Sequence, residues 1–321
     1  MSLSSKSVGK RARKNKADEY KVPFTWAEMK KQSFLIITSI LFLIYGFIFC
    51  YVPLGGWVMA FQNYKPKTGI FHSKWVGLAK FKFLFEDATF LRVIRNTLGM
   101  GVINLISSFV MAIAFAILLN EVKQKMTKKC IQTISYLPHF LSWIIVTGIL
   151  QDALSSIGIV NEILEFFGRE PIMFFAKKQY FWLIVAFANL WKETGWNAII
   201  YLAAITSIDP CLYEAASIDG AGRWNKIWHI TLPGIKPTIM ILLLMNVGNV
   251  LNVGFEVQYL LGNDAIKSVS DTIDIYVLNW GVSQSDFSLG TAAGIFKSVV
   301  SIVLIIIANT IAKRAGEERL F

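Results

Sequence analysis

Long stretches of this chain carry no charged residue, and their lengths set the first expectation. A bilayer core about 30 Å thick takes roughly 20 apolar residues of helix, and six stretches meet that length. The first lies within the uncharged run from Gln32 to Tyr64, the second spans Asn96 to Asn120, and the third Cys130 to Gln151. The fourth runs from about Tyr180 to Ser207 with Lys192 and Glu193 inside it. The fifth is uncharged from Pro237 to Phe255 and is expected to continue to about Leu260. The sixth extends from about Leu289 to Ala312, interrupted by Lys297. The pattern predicts an all-α integral membrane protein with six transmembrane helices.

Composition agrees: 55% of residues are hydrophobic, 17% are charged, and the mean hydropathy is +0.52, values that argue against a soluble fold. The net charge of +11 raises the question of nucleic acid. The basic residues cluster outside the apolar runs, however, which ties them to membrane orientation instead. Nine of them (Lys6, Lys10, Arg11, Arg13, Lys14, Lys16, Lys21, Lys30 and Lys31) precede the first span against three acidic residues, which predicts a cytoplasmic N-terminus. No short apolar core with a small-residue cleavage site is present, so this tail is expected to be retained. Six spans return the C-terminus to the same side and leave Lys123, Lys125, Lys128 and Lys129 inside. Lys65, Lys67, Lys74, Lys80 and Lys82 fall outside, interleaved with Trp75, Phe81, Phe83 and Phe85, a pattern that predicts an interfacial amphipathic helix. The expected organisation is a basic tail (1–32), a first helix with its external segment (33–91), and a core (92–321) holding a cytoplasmic loop at 207–236.

That loop is the most informative segment. Asp209 can cap a helix whose first position is Pro210. Gly220 and Gly222 can end it, because glycine enters the left-handed region without steric cost. A second short helix from Arg223 to His229 is expected, with Pro233 and Pro237 breaking the chain before span five. The spacing Glu214-Ala215-Ala216, three residues with Asp219 last, Gly220, nine residues, Ile230, one residue, Leu232-Pro233 resembles the signature loop of the membrane subunits of binding-protein-dependent ATP-driven importers. Tyr51-Val-Pro-Leu, Ala60-Phe-Gln-Asn-Tyr-Lys-Pro66, Trp75-Val-Gly-Leu78, Asn96-Thr97, Leu137-Pro138 and Asn252-Val-Gly-Phe-Glu256 extend the resemblance over nearly the whole chain. They look like the carbohydrate-uptake branch, and within it the group associated with complex polysaccharides and oligosaccharides.

The resemblance implies the type I ABC importer permease fold and a division of labour. Two permease subunits, here a heterodimer, would surround a path in a bacterial cell membrane. Two ATPase subunits would use ATP and Mg below, and an extracytoplasmic protein would deliver the sugar above. The loop, with Glu214, Ala215, Ala216, Asp219, Gly220, Arg223, Ile230, Leu232 and Pro233, would be the coupling element. This chain would bind no cofactor and no nucleic acid. A peptide or amino-acid cargo is the alternative within the class, and a secondary carrier or a membrane enzyme lie outside it. The residues fit this division: no phosphate-binding Gly-x-x-x-x-Gly-Lys-Ser/Thr loop occurs, no catalytic constellation is recognisable, and the three cysteines and three histidines lie far apart.

Charges inside a span cost about 2.5–3.5 kcal/mol on insertion scales and usually face a cavity or a partner. On a straight helix at 100° per residue, Asn189, Lys192, Glu193 and Trp196 share an arc of about 100°, and Asn246, Asn249, Asn252 and Glu256 one of about 120°. Amides and charges can bond sugar hydroxyls and tryptophan can stack on a sugar ring, so these eight are the candidate substrate path, with interhelical packing as the competing reading. Glu256 is also placed near Lys297 as its expected ion partner.

Overall fold

Four helices among the described residues begin at a side chain that accepts from a free amide of the first turn. In the computed structural model, which describes residues 26–316, Asp87 caps Ala88–Glu121 by accepting from the Thr89 amide at 2.8 Å. Asp286 caps Phe287–Arg314 in the same way, accepting from the Leu289 amide at 3.0 Å. These two helices are spans two and six. The tail that carries most of the basic residues before span one lies outside the described residues.

Among the described residues four helices, Ser33–Phe61, Ala88–Glu121, Arg223–Gly248 and Phe287–Arg314, are long and apolar enough to cross a membrane. Counting each of two bent pairs as one span raises the number to six. One bent pair is span four, Lys178–Thr206, with the loop helix Pro210–Ile218 that follows at 69°. The other is span three, expected to be continuous and in fact broken by 99° between Lys125–Phe140 and Trp143–Ala153. Pro138 removes an amide donor from the ladder, the chain tightens into a 3₁₀ turn at Leu137–Phe140, and Ser142 opens a new helix by accepting from the Ile145 amide at 3.4 Å.

The chain divides into two compact units, Met1–Gly56 and Trp57–Phe321. In the described part of the first, Ser33–Gly46 is apolar on every side and has no buried residue, the character of a helix that belongs in hydrocarbon or inside an assembly. The segment from Trp57 to Glu86, grouped by sequence with span one, falls in the second unit. There a helix forms at Ala79–Glu86 with Leu84 buried, and Lys80 pairs with Asp286 at 2.8 Å. Trp75 instead sits in a two-residue strand, Lys74–Trp75, antiparallel to Gln62–Asn63.

Span two is the post of the second unit. It contributes Phe90 to one apolar cluster with Tyr276 and Leu289, Met100 to a second with Phe181 and Val257, and Ala116 to a third with Tyr201 and Ile235. Two glycines let backbones meet: a methyl group on Gly101 would lie 2.0 Å from the Val250 carbonyl oxygen, and one on Gly195 2.1 Å from that of Ser135. Gly290 likewise abuts Gly281, whereas Gly294 faces open space. Lys297 bonds both oxygens of Asp274, at 2.7 and 2.8 Å, and not Glu256 as the sequence suggested. Glu256 lies exposed in the first turn of Phe255–Leu261, beyond a break in the chain that separates it from span five.

Candidate functional site

The loop folds by local rules. Asp209 accepts from the Cys211 amide at 2.9 Å and Pro210 starts the helix Pro210–Ile218. At its end the Ala221 amide reaches the Ala216 carbonyl at 2.8 Å and the Gly220 amide reaches that of Ser217 at 3.2 Å, with Gly220 at φ +77°. This is a complete Schellman closure, and it requires the left-handed residue.

The prolines do not act as expected. From Arg223 the chain stays helical to Gly248, running through a wide turn at Ile227–Thr231 in which the Leu232 amide reaches back five residues to Ile227. Pro233 then sits in the first turn of the following α-helical stretch, where a missing amide is tolerated, and Pro237 is accommodated inside it.

Two contacts that sequence reasoning missed fasten the loop helix to this base. Tyr213 Oη and Thr231 Oγ1 are 3.0 Å apart, and Lys226 Nζ donates to Ser217 Oγ at 2.7 Å. Glu214, Ala215 and Asp219 are left facing out, Ala216 is half-buried, and Ile218 is 87% exposed. With Leu212, 52% exposed, and Trp224, 74% exposed, it leaves apolar side chains bare on the loop. Arg223 lies 3.9 Å from Glu121 with both side chains well exposed, too loose to add much stability. Ile230 and Leu232 are half-buried and Pro233 exposed, all three on the supporting helix.

The second site is a cavity of about 220 Å³ between spans two, four and five, lined in part by Asn104, Glu193, Asn197, Asn246, Asn249 and Asn252. Half of the expected path residues meet there: Glu193 from span four, and Asn246, Asn249 and Asn252 from span five. The single helical face assigned to the last three does not exist, because span five ends at Gly248. Asn249 caps it, the chain turns without helix to Gly254 at φ +87°, and helix resumes only at Phe255. This unwound turn itself lines the cavity with Asn249, Val250, Asn252 and Val253. Gly101 allows it to press against span two.

The span-four stripe also divides. Asn189 donates to the Val185 carbonyl of its own helix. Lys192 is 5% exposed; its Nζ donates to the His139 carbonyl at 2.5 Å and the Pro138 carbonyl at 3.5 Å, and lies 5.5 Å from the Trp143 ring centroid. The ammonium thus bonds carbonyls at the break in span three, where that of Pro138 also accepts from the Leu141 amide at 3.1 Å. Glu193 accepts at this corner too, 2.8 Å from His139 Nδ1 and 3.7 Å from Lys192. The Trp196 ring is stacked on His139 with centroids 4.4 Å apart and planes at 1°. Asn189, Lys192 and Trp196 do not line this cavity, Lys192 being buried and Trp196 41% exposed, and of the four only Glu193 turns into it.

The residues missed are Asn104, Ser108, Asn197 and Tyr201. Asn197 follows Glu193 by four positions and Ser108 follows Asn104 by four, so a helical-period search for small polar residues finds both pairs. Among the described residues no group of three His, Cys, Asp or Glu side chains is placed to hold a metal ion.

Residues 104–317 match the family described as binding-protein-dependent transport system inner membrane component. The chain is 44% identical, over 91% of both chains, to the polygalacturonan/rhamnogalacturonan transport system permease protein YteP of Bacillus subtilis (strain 168). A solved chain of a bacterial ABC transporter involved in the import of the acidic polysaccharide alginate superposes with a TM-score of 0.83 at 40% identity, covering 90% of this chain and 98% of that one. A second, from the alginate transporter in complex with alginate pentasaccharide-bound periplasmic protein, gives 0.84 at 38% identity, covering 92% of this chain and 99% of that one.

Proposed function

The chain belongs to the family of binding-protein-dependent transport system inner membrane components, and from that premise we propose how its two sites divide the work. It is a multi-pass membrane protein of the type I ABC permease fold, a transport subunit and not an enzyme, and its cargo is an oligosaccharide or polysaccharide fragment. The cavity between spans two, four and five is half of the translocation path. A second, homologous permease subunit supplies the other half, in a heterodimer. Non-helical backbone at membrane depth is tolerated where it lines a polar cavity, and the unwound turn 249–254 is the observation that carries this reading.

The loop helix Pro210–Ile218 seats in an ATPase subunit, with Glu214, Ala215 and Ile218 forming the contact. Its two ties to Thr231 and Lys226 pass a displacement directly into span five, whose far end is the cavity wall. ATP and Mg are handled by two such ATPase subunits, and a sugar-binding protein outside the membrane loads the path. Both termini are cytoplasmic, on the side of the loop.

Reconstituting the importer in proteoliposomes tests the path. Asn197→Trp, which fills the cavity from span four, is expected to abolish uptake while the ATPase subunits remain bound. Wild-type uptake by that variant would refute it.

A further inference from the structure

The cavity lining discriminates by charge, and this deepens the path reading on which it rests. A backbone carbonyl can only accept, so the side-chain atom facing it must be the amide nitrogen. Asn246 Nδ2 lies 2.8 Å from the Leu242 carbonyl, and Asn249 Nδ2 lies 3.1 Å from that of Met245. Asn252 Nδ2 donates to Asn249 Oδ1 at 3.1 Å. Each of the three amides, Asn246 in the last turns of span five and Asn249 and Asn252 in the unwound segment, thus spends one donor within the protein, and Asn246 and Asn252 keep their carbonyl oxygens free for the cavity. Across from them Asn104, Ser108, Asn197 and Tyr201 offer uncharged amide and hydroxyl groups.

Among the described residues the lining contains no lysine or arginine, and its one charged residue is Glu193. Lys192, the cation beside it, is buried behind the wall with its ammonium committed to the carbonyls of Pro138 and His139. The remaining ionisable neighbour, His139, is held against Glu193 Oε2 and stacked on Trp196. Each asparagine keeps a second N–H, so the wall offers donors and acceptors alike; its one charge is a carboxylate, and no cation of the described residues is directed into the cavity.

We infer that this wall selects uncharged, hydroxyl-rich sugar units and rejects units bearing a carboxylate. A sugar hydroxyl donates to Asn246 Oδ1, Asn252 Oδ1 or Glu193 and accepts from Asn104, Asn197, Ser108 or Tyr201. A uronate carboxylate could accept from the same amide and hydroxyl groups, but it would be desolvated beside Glu193 with no cation in the lining to offset its charge. The cargo of this chain is then a neutral oligosaccharide, in contrast to the solved transporter, which is involved in the import of the acidic polysaccharide alginate.

The test uses cells in which this chain, with its own partner subunits, is the route of uptake. They are fed a mixture of galacturonate and alginate oligomers together with neutral xylo- and arabino-oligomers of the same length. Accumulated sugars are identified by mass spectrometry and compared with cells lacking the chain. Chain-dependent accumulation is expected for neutral oligomers only. Asn246→Lys, which adds a cation to the wall, is expected to raise the ratio of uronate to neutral uptake about tenfold, the order of one charge-assisted hydrogen bond. Uronate accumulation by the wild type that Asn197→Trp abolishes would overturn the selectivity alone. Uptake that ignores Asn197→Trp, or an absence of chain-dependent uptake of any oligomer, would overturn the path reading and this inference together.

Discussion

The loop at 207–231 and the cavity lie toward opposite ends of one helix and are built in different ways. The loop is closed chiefly by neighbours in sequence: Asp209 caps its own first turn, Gly220 closes its own last turn, and the hydrogen bond from Tyr213 to Thr231 crosses 18 residues. The cavity brings together Asn104, Asn197 and Asn252 from three separate elements. It depends on close approaches such as Gly101 against Val250, which no local pattern announces. A structure made from local rules can be moved as a unit. One made from distant contacts can change shape when its walls separate, and an importer needs one of each.

Breaking the cavity gives the largest expected effect. Gly101→Val places side-chain atoms where the Val250 carbonyl now lies, forcing the unwound turn away from span two. Uptake is expected to be lost entirely, with a thermal unfolding shift matching about 1–3 kcal/mol. Near-normal transport by this variant would show that the turn is not a fixed wall.

The counterpart in the loop is Gly220→Val. A β-branched residue at φ +77° is strained, at about 1–3 kcal/mol, but the strain is confined to a solvent-facing turn. Membrane insertion and the fold of the spans are expected to survive while sugar-stimulated ATP hydrolysis by the assembled importer falls at least tenfold. If both glycine variants lost stability and transport in the same proportion, the contrast between a local and a distributed site would fail.

Lys192→Met tests whether span three is held open by the ammonium. The His139 carbonyl loses its ammonium donor, that of Pro138 keeps only the Leu141 amide, and Glu193 loses its cationic neighbour, a loss of about 1–3 kcal/mol. Lys192→Arg is expected to recover part of it. Equal thermal stability of the methionine variant and the wild type would argue that the bend stands without this contact.

Trp196→Ala is expected to do less. The ring packs on His139 and Phe140 and does not line the cavity, so its removal is predicted to cost about 0.5–1.5 kcal/mol beyond its buried area. Uptake should fall only in step with the yield of folded complex; a normal yield with lost transport would return Trp196 to the path.

The smallest effect lies away from both sites. Asp271 is buried, and burial pushes its carboxyl group above the ordinary 3.8, with Lys267 and Arg92 pulling it partly back. The folded state therefore holds that proton more firmly than the unfolded chain, and stability falls as pH rises from about 3.8 through the raised value and is level above it. Asp271→Asn is expected to remove this loss, so that the difference in melting temperature between variant and wild type grows as the pH is raised from 4 to 7. A constant difference would place the carboxyl group in a wetter setting.

The sequence by itself determined where the apolar helices lie along the chain, how the loop helix starts and ends, and the kind of protein, because the lengths of apolar runs, an aspartate before a proline, and a glycine after a helix act within a few residues of one another. It also marked Glu193, Asn246, Asn249 and Asn252 as exceptional, since polar groups in an apolar run need a reason. Tertiary structure alone decided what those groups do. Projecting Asn246 to Glu256 on one straight helix failed at Gly248, where the helix ends and the chain turns against Gly101. Lys192 and Glu193 are adjacent in sequence, yet the break at Pro138 drew one to backbone carbonyls and left the other facing the cavity. Asp274, 23 residues from Lys297, took the ion pair assigned to Glu256. A partner in space is chosen by which faces pack together, and helical periodicity in one segment carries no information about the face that another segment turns toward it.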